Sequence, residues 1–271
     1  MVDKYLVIGN PISQSKSPQI HSYFSYLTGE KIDYKRLLVP LENFEEEIIK
    51  FKKSGGLGAN ITIPFKKKAF EISDYQSNRV KLAEAANVLS FKNNEIFADN
   101  TDGVGLVIDM KKNANVDICD KSILLIGAGG AAQGVVGPLL DERPSFLVIS
   151  NRTLDSAEKL KKKFANKFST NIETCKLNNI DSKFDIIINA TSSSLNSNIL
   201  PISNDIYKKQ SFVLDMMYSS QPTLFLQNAL KFGAIIRDGL GMLIEQAAES
   251  FLIWRGVRPE TKEIYNILRG N

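Results

Sequence analysis

The stretch ILLIGAGGAA, residues 123–132, decides the fold. Its four leading apolar residues predict a strand buried on both faces. Gly127, Gly129 and Ala132 then fit G-x-G-x-x-A, a form of the dinucleotide fingerprint, in which glycines permit a tight turn and close approach to a pyrophosphate. The next helix would add free N–H donors at its N-terminus. Glycine-rich turns also serve as simple strand-to-helix connections without a ligand. Here, however, the apolar strand before the glycine turn and the amphipathic segment after it favour nucleotide binding.

Strands and helices alternate on both sides of this turn. Beyond residue 122 the order of predicted strands and helices is typical of a doubly wound parallel sheet. The first hundred residues alternate in the same way and predict another α/β unit. Between the two, Thr101-Asp102-Gly103 opens a helix and is a candidate hinge. We therefore expect an α/β protein of two domains.

Composition excludes several classes of protein. The 271 residues are 43% hydrophobic and 24% charged, as expected of a globular chain with a full core. A net charge of +4, with both signs interspersed, argues against a nucleic-acid partner. No apolar run approaches the ~20 residues that span a bilayer, and the N-terminus has no signal-peptide layout. Cys119 and Cys175 form no motif, which favours a cytoplasmic location, and a single histidine, His21, excludes a multi-histidine metal site.

The residues after the second strand of the doubly wound unit indicate which dinucleotide binds. NAD sites usually place an acid there, about 20 residues past the glycines, to bind the ribose 2′-hydroxyl. Here Phe146–Ser150 is followed by Asn151-Arg152-Thr153, without an acid. A guanidinium beside neutral polar groups suits a 2′-phosphate, so we predict NADP rather than NAD. The alternative is that Arg152 is solvated and Thr153 only caps the next helix.

Candidates for proton transfer lie in the first α/β unit. The chain has no zinc-ligand set and no Tyr-x-x-x-Lys arrangement. Lys66 follows the turn at Pro64, and Asp102 opens the hinge helix, so the pair could pass protons to a substrate oxygen. On spacing alone the plainer interpretation is stronger: Lys66 would belong to a solvated lysine triplet and Asp102 would be a helix cap.

Hydroxyl groups at a predicted helix N-terminus form a candidate binding site for a carboxylate. Ser15 and Ser17 precede Pro18, where the helix should begin with Ser17 as its cap. Simple capping is an equally good interpretation. His21, one turn further, is expected to be a packed or hydrogen-bonding residue rather than a base.

Nine motifs together resemble those of the shikimate dehydrogenase family, in the family's order from residue 9 to residue 247. They read GNPISQSKSPQIH, GANITIPFK, AANVL, DNTDGVG, LLIGAGGAA, SNRT, INATSS, LDMMY and DGLGMLIEQA. The resemblance implies NADPH-dependent reduction of 3-dehydroshikimate to shikimate in aromatic amino-acid biosynthesis. It also implies a discontinuous substrate domain, residues 1–101 plus 240–271, around a Rossmann-like NADP-binding domain, residues 102–239.

The resemblance also assigns roles to residues. Lys66 would be the catalytic acid/base, with Asp102 as its partner. The substrate would be bound by Ser15, Ser17, Thr62, Lys66, Asn87, Asp102, Tyr218 and Gln246. The cofactor NADP(H) would be bound by Gly127, Ala128, Gly129, Gly130, Ala131, Asn151, Arg152, Thr153, Met216 and Gly239.

Two positions depart from the family pattern. Gln14 replaces a frequent histidine, with little expected effect, and Ser156 stands where many NADP-using members carry a second arginine. The preference for NADP is therefore expected to be weaker. The alternatives are a quinate/shikimate dehydrogenase paralogue that uses NAD and a non-catalytic nucleotide-binding sensor on the same fold. We expect a small-molecule substrate, no nucleic-acid or membrane partner, and a monomer or homodimer.

Overall fold

The computed structural model describes residues 2–196 and 200–270, and the chain divides into two compact units. Unit 1 comprises Met1–Gly105 and Leu243–Asn271, and unit 2 comprises Leu106–Met242. The predicted fold class, two α/β units of which one has a Rossmann-like parallel sheet, is confirmed.

A six-stranded mixed sheet forms the centre of unit 1. Its strands are β1 (Asp3–Gly9), β2 (Ile32–Leu38), β3 (Gly56–Ile61), β4 (Tyr75–Gln76), β5 (Val88–Lys92) and β6 (Glu95–Asp99), in the order β2-β1-β3-β5-β6-β4. β1 pairs in parallel with β2 and β3, whereas β5 runs antiparallel to both β3 and β6. The helices of this segment are α1 (Ser17–Thr28), α2 (Phe44–Lys53), α3 (Lys66–Glu71), α4 (Asn78–Ala83) and α5 (Asp102–Ile108).

A six-stranded sheet also forms the centre of unit 2, and all its strands are parallel. Its strands are β7 (Ser122–Ile126), β8 (Phe146–Asn151), β9 (Asn171–Lys176), β10 (Phe184–Asn189), β11 (Tyr207–Asp215) and β12 (Ile235–Asp238), with helices α6 (Gly130–Asp141), α7 (Leu154–Phe164) and α8 (Leu224–Lys231). The strand order β12-β11-β10-β7-β8-β9 is that of a Rossmann sheet. Every residue of β7 is buried, as its apolar sequence predicts.

The last two helices complete the core of unit 1. They are α9 (Leu240–Arg255), within which the unit boundary falls, and α10 (Lys262–Arg269). The Trp254 indole stacks on Tyr5 with ring centroids 4.6 Å apart, and its Nε1 donates a 3.1 Å hydrogen bond to the Leu89 carbonyl. Gly58 is needed here, because a Cβ at this position would lie 2.6 Å from Trp254 Nε1. The C-terminal segment is therefore part of the unit that the N-terminal segment begins.

A buried ion pair joins two distant segments of unit 2. A π-helical turn, Asp109–Asn113, follows α5. The Asp109 carboxylate is fully buried and receives hydrogen bonds of 2.6 and 2.5 Å from Nε and Nη2 of Arg237 on β12. Asn113 Nδ2 donates a third, at 3.0 Å. Bidentate geometry and an extra donor are the conditions under which a buried carboxylate is well compensated.

Candidate active site

Lys66 and Asp102 form an ion pair within unit 1. Each is the first residue of a helix, Lys66 of α3 and Asp102 of α5. Lys66 Nζ donates to Asp102 Oδ2 at 2.5 Å, and the side chains are only 19% and 7% exposed. Lys67 and Lys68 are exposed, so Lys66 differs in burial from the rest of the lysine triplet. The two residues that the sequence identified as a possible proton-transfer pair are thus brought together.

The Asn87 amide ties this ion pair to α9. Its Nδ2 donates to Asp102 Oδ1 at 2.8 Å and to Gln246 Oε1 at 3.0 Å. Its Oδ1 accepts from the Thr101 backbone N–H at 2.8 Å, which leaves only Nδ2 to face the carboxylate. Asn87 and Gln246 are both buried. Four predicted site residues, Lys66, Asp102, Asn87 and Gln246, therefore form one connected cluster.

Behind this cluster lie buried polar residues that were not predicted as site residues, although strand alternation places Asn60 on one strand face with Thr62. Thr101 Oγ1 lies 3.3 Å from Ser250 Oγ, and Ser250 Oγ accepts from Asn60 Nδ2 at 2.9 Å. Asn60 Oδ1 in turn accepts from the Tyr34 hydroxyl at 2.7 Å. Two signals were available: Ser250 lies one helical turn after Gln246, and Asn60 shares a strand face with Thr62. This network fixes the orientations of the amides that face Lys66 and Asp102.

Ser15 and Ser17 contact each other at the start of α1. Ser15 Oγ accepts from the Ser17 backbone N–H at 3.3 Å and donates to Ser17 Oγ at 3.1 Å. The prediction that Ser17 caps the helix was wrong: α1 begins at Ser17, and Lys16 occupies the cap position without a side-chain bond. Arg36, which sequence reasoning missed, holds this turn by donating to the Ser15 carbonyl oxygen from Nε at 2.9 Å and Nη2 at 2.5 Å. Thr62 lies on the neighbouring segment, its backbone N–H bonded to Ile8 O at 2.9 Å.

The glycine turn of unit 2 has the geometry that a dinucleotide requires. Gly127 has a φ of +112°, which only glycine adopts without strain, and a Cβ there would lie 3.1 Å from the Ala190 carbonyl oxygen. A Cβ at Gly129 or Gly130 would meet nothing within 4 Å. Space is therefore open beside the backbone where α6 begins at Gly130. The free backbone N–H groups at the start of α6 can donate hydrogen bonds to phosphate oxygens. Ala128 and Ala131 complete the turn.

Asn151 is the last residue of β8, and Arg152 and Thr153 follow it, with no acid among the three. Arg152 and Thr153 are exposed, and Asn151 Nδ2 donates to the Thr153 carbonyl at 2.9 Å. Thr153 occupies the cap position of α7, but its side chain makes no capping hydrogen bond, so its hydroxyl is available to a ligand. These donors fit a phosphorylated ribose better than a ribose 2′-hydroxyl.

Met216 and Gly239 lie side by side in unit 2. A Cβ at Gly239 would come within 2.0 Å of the Met216 carbonyl oxygen, so only glycine fits there. Asp215, just before Met216, accepts hydrogen bonds from Ser194 at 2.5 Å and Thr223 at 2.7 Å. Burial raises the pKa of Asp215, and these bonds oppose the shift. Tyr218 follows in the same segment and is half-buried.

His21 is a packed residue. Its ring is fully buried and stacks on Tyr34 with centroids 4.1 Å apart. Neither ring nitrogen meets hydrogen-bond geometry with any described residue. Burial lowers its pKa to about 3, and nearby Asn60 opposes this only partly, so the imidazole is neutral. Within residues 2–196 and 200–270 there is no acid, cysteine and histidine cluster able to hold a metal, and no helix is apolar over a length that would cross a membrane.

Three family models match the chain, one after another. Residues 7–89 match the shikimate dehydrogenase substrate binding domain, residues 109–214 match shikimate / quinate 5-dehydrogenase, and residues 239–269 match the shikimate 5′-dehydrogenase C-terminal domain. The three matches include the segments of Lys66, the glycine turn and Gln246.

Similar proteins cover nearly the whole chain. Shikimate dehydrogenase (NADP(+)) of Janthinobacterium sp. (strain Marseille) is 49% identical over 98% of this chain and 97% of its own length. Among solved structures, an enzyme from Pseudomonas putida is 40% identical with a TM-score of 0.91, over 98% of each chain. A shikimate dehydrogenase solved in complex with NADP+ is 31% identical with a TM-score of 0.86, over 98% of this chain and 94% of that one. From its motifs, its fold and these relatives, the chain belongs to the shikimate dehydrogenase family.

Proposed function

We propose that this protein catalyses the NADPH-dependent, reversible reduction of 3-dehydroshikimate to shikimate, a step of aromatic amino-acid biosynthesis. The observation that carries the proposal is the Lys66–Asp102 ion pair, 2.5 Å long and joined to Asn87 and Gln246. Family membership supplies the reaction, and this cluster provides the acid and base that it needs.

Lys66 is the proposed catalytic acid/base. The Lys66 ammonium gives a proton to the substrate oxygen in reduction and takes it back in oxidation. NADPH, when bound, supplies the hydride for the carbonyl carbon. Asp102 holds the Lys66 amine in position through its Oδ2, and Asn87 keeps the carboxylate oriented through its Oδ1. The 19% exposure of Lys66 leaves its amine accessible to a substrate.

The remaining polar side chains are proposed to hold the substrate. Ser15 and Ser17 bind its carboxylate, with help from Tyr218, because paired hydroxyls at a helix N-terminus suit an anion. Thr62, Asn87, Asp102 and Gln246 bind the ring hydroxyls. The substrate domain is proposed to comprise residues 1–101 and 240–271, and the cofactor domain residues 102–239.

The cofactor is NADP(H), held by the open glycine turn and the exposed guanidinium beside it. Gly127–Ala131 receive the pyrophosphate, and Asn151, Arg152 and Thr153 receive the adenosine 2′-phosphate. Met216 and Gly239 flank the nicotinamide. We further propose a cytoplasmic enzyme, monomeric or homodimeric, with no nucleic-acid or membrane partner.

A two-substrate, two-cofactor assay tests the proposal. Purified protein should reduce NADP+ with shikimate at a rate well above any rate with quinate or with NAD+. Comparable turnover of quinate with NAD+ would favour the quinate/shikimate paralogue instead. Binding of NADPH without shikimate-dependent turnover at any pH would favour the non-catalytic sensor.

A further inference from the structure

A second cation, Lys176, lies beside the last residue of β8. In the parallel ladder between β8 and β9, Asn151 is paired with Lys176, the last residue of β9. Adjacent strands lie about 4.8 Å apart, so the backbones of these two residues are immediate neighbours. Both stand at the carboxyl edge of the sheet, where ligands bind in open α/β sheets.

Strand alternation places Asn151 and Lys176 on the same face of the sheet. Residues paired in register share a face, and Ile149 and Leu147 on β8 are likewise paired with Thr174 and Ile172 on β9. The loop from Asn151 to α7 carries Arg152 and Thr153. Lys176 therefore belongs to the same corner of unit 2 as the proposed 2′-phosphate ligands.

The Lys176 side chain is also available to bind a ligand. It is exposed, and among the described residues its amine has neither an ion pair nor a hydrogen bond. The acid on its own strand, Glu173, lies on the opposite face and accepts from Asn171 Nδ2 at 2.8 Å. Asp155, the acid closest to Arg152 along the chain, lies in the first turn of α7. A flexible lysine without a carboxylate partner is free to meet an anionic ligand.

We propose that Lys176 is a specificity-determining residue that binds the adenosine 2′-phosphate together with Arg152. A ribose 2′-phosphate carries close to two negative charges at neutral pH, whereas Asn151-Arg152-Thr153 supplies only one cation. Ser156, one turn into α7, adds none. Lys176 provides the second charge from the adjacent strand, and so raises the preference for NADP over NAD. This inference rests on the proposed cofactor site.

Binding of nucleotide fragments tests the inference without turnover. Calorimetry would compare adenosine 2′,5′-bisphosphate, which carries the 2′-phosphate, with adenosine 5′-monophosphate, which lacks it. Lys176→Ala should weaken binding of the bisphosphate about fivefold and leave binding of the monophosphate within twofold, as expected for one exposed charge pair. Lys176→Glu should weaken binding of the bisphosphate further. Added salt should reduce the differences in bisphosphate affinity between the unmodified protein and the two variants.

Lys167→Ala is the matched control. Lys167 is an exposed lysine of unit 2 that follows α7, at the amino edge of β9. Lys167→Ala removes the same charge from unit 2 and should change the affinity for neither the bisphosphate nor the monophosphate. Equal weakening of both nucleotides by Lys176→Ala, no weakening, or the same effect from Lys167→Ala would overturn the inference. The proposed function is judged separately, by shikimate-dependent reduction of NADP+ in the unmodified chain.

Discussion

Lys66 and Asp102 lie 36 positions apart, and each is the first residue of a helix. The Asp102 side chain is buried and that of Lys66 is 19% exposed. The pair is therefore fixed in geometry while remaining partly accessible, as proton transfer to a bound substrate requires.

Replacing Lys66 by alanine should abolish turnover without abolishing substrate binding. We expect kcat to fall by at least about a hundredfold, while the affinity for shikimate stays within roughly tenfold, because most contacts remain. Steady-state kinetics and calorimetry measure the two quantities. Lys67→Ala is the control, since Lys67 is 78% exposed and pairs with the exposed Glu71. Near-normal turnover in Lys66→Ala would remove Lys66 from its proposed role.

His21 should make stability fall with decreasing pH. Its pKa is lowered from 6.5 to about 3 by burial, so below pH 6.5 the unfolded chain binds a proton that the folded chain does not. The free energy of unfolding should then drop by up to about 1.4 kcal/mol per pH unit between pH 6.5 and about 4.

Urea denaturation at pH 7.5, 6 and 5 measures that slope. Because His21 is the only histidine in the chain, His21→Phe should remove most of the slope between pH 6.5 and 5, whatever its effect on absolute stability. The same slope in both proteins would show that other groups titrate in this range.

At the scale of residues, the sequence predicted the participants but not their contacts. Motifs identified Lys66, Asp102, Asn87 and Gln246 as candidates, although spacing alone favoured a solvated Lys66. The sequence could not predict that the Asn87 amide bridges Asp102 and Gln246, because these contacts join residues that are 15 and 159 positions apart in the chain. Tyr34 was missed for the same reason, because its buried hydroxyl has no local pattern, whereas the only signal for Ser250 was its place one helical turn after Gln246.

Among the elements, the connection from β7 to α6 has two kinds of glycine. Gly127 is required by its positive φ, whereas Gly129 has a φ of −82° and open space at its Cβ position. Gly129 is therefore not needed for folding, which leaves ligand approach as the reason for its small size.

Gly129→Ala should separate binding from stability. We expect a melting temperature within about 2 °C of the unmodified protein, since no clash arises, but at least roughly tenfold weaker NADP+ binding, because the methyl group occupies the pyrophosphate's approach. Differential scanning fluorimetry and fluorescence titration measure the two. Gly127→Ala is the contrasting variant and should lose stability as well. Unimpaired NADP+ binding by Gly129→Ala would contradict the proposed position of the pyrophosphate.

The ion pair between the π-helical turn and β12 should contribute strongly to the stability of unit 2. Asp109→Asn removes the buried carboxylate that Arg237, 16% exposed, binds in bidentate geometry, and it should cost about 3 kcal/mol of unfolding free energy. Lys111→Ala, in the same turn, is the control: the Lys111–Glu142 pair is surface-exposed and should contribute less than about 1 kcal/mol. Equal effects of the two variants in chemical denaturation would contradict this account.

Elements with a clear apolar pattern were predicted even where they carry many charges, as in α2 and α7, whereas the shortest elements were missed. The central Rossmann strands β7 and β10 were predicted because strands buried on both faces are mostly apolar. Helix α3 was missed because its first three residues are lysines and it has no side-chain cap, and β4 was missed because it has only two residues. A π-helical turn after α5 has no sequence signature in this chain.

For the whole molecule, the important feature is that unit 1 is discontinuous while unit 2 is one continuous segment. Phe251 and Trp254 on α9 belong to the core of unit 1, where they meet Phe24 and Tyr5. Residues 1–105 alone would expose the surface that these aromatic side chains cover.

Separate expression of the two segments should therefore give opposite results. A fragment spanning residues 106–242 should fold cooperatively and bind NADP+, because it contains the whole six-stranded parallel sheet and α6, α7 and α8. A fragment spanning residues 1–105 should lack near-ultraviolet circular dichroism and a cooperative melting transition. Cooperative unfolding of fragment 1–105 would show that the last two helices are dispensable.

Because unit 1 is discontinuous, the order in which the two units can fold during synthesis on the ribosome differs from their order in the sequence. Because α9 is needed to close the core of unit 1, the first 105 residues must wait while residues 106–242 are synthesised. At elongation rates of about 5–20 residues per second this delay is roughly seven to thirty seconds. Unit 2, which is second in the sequence, can thus fold before unit 1 is complete, and slow translation of residues 106–242 would prolong the exposure of the unfinished N-terminal segment. Synonymous codons within residues 106–242 would then govern the yield of active enzyme.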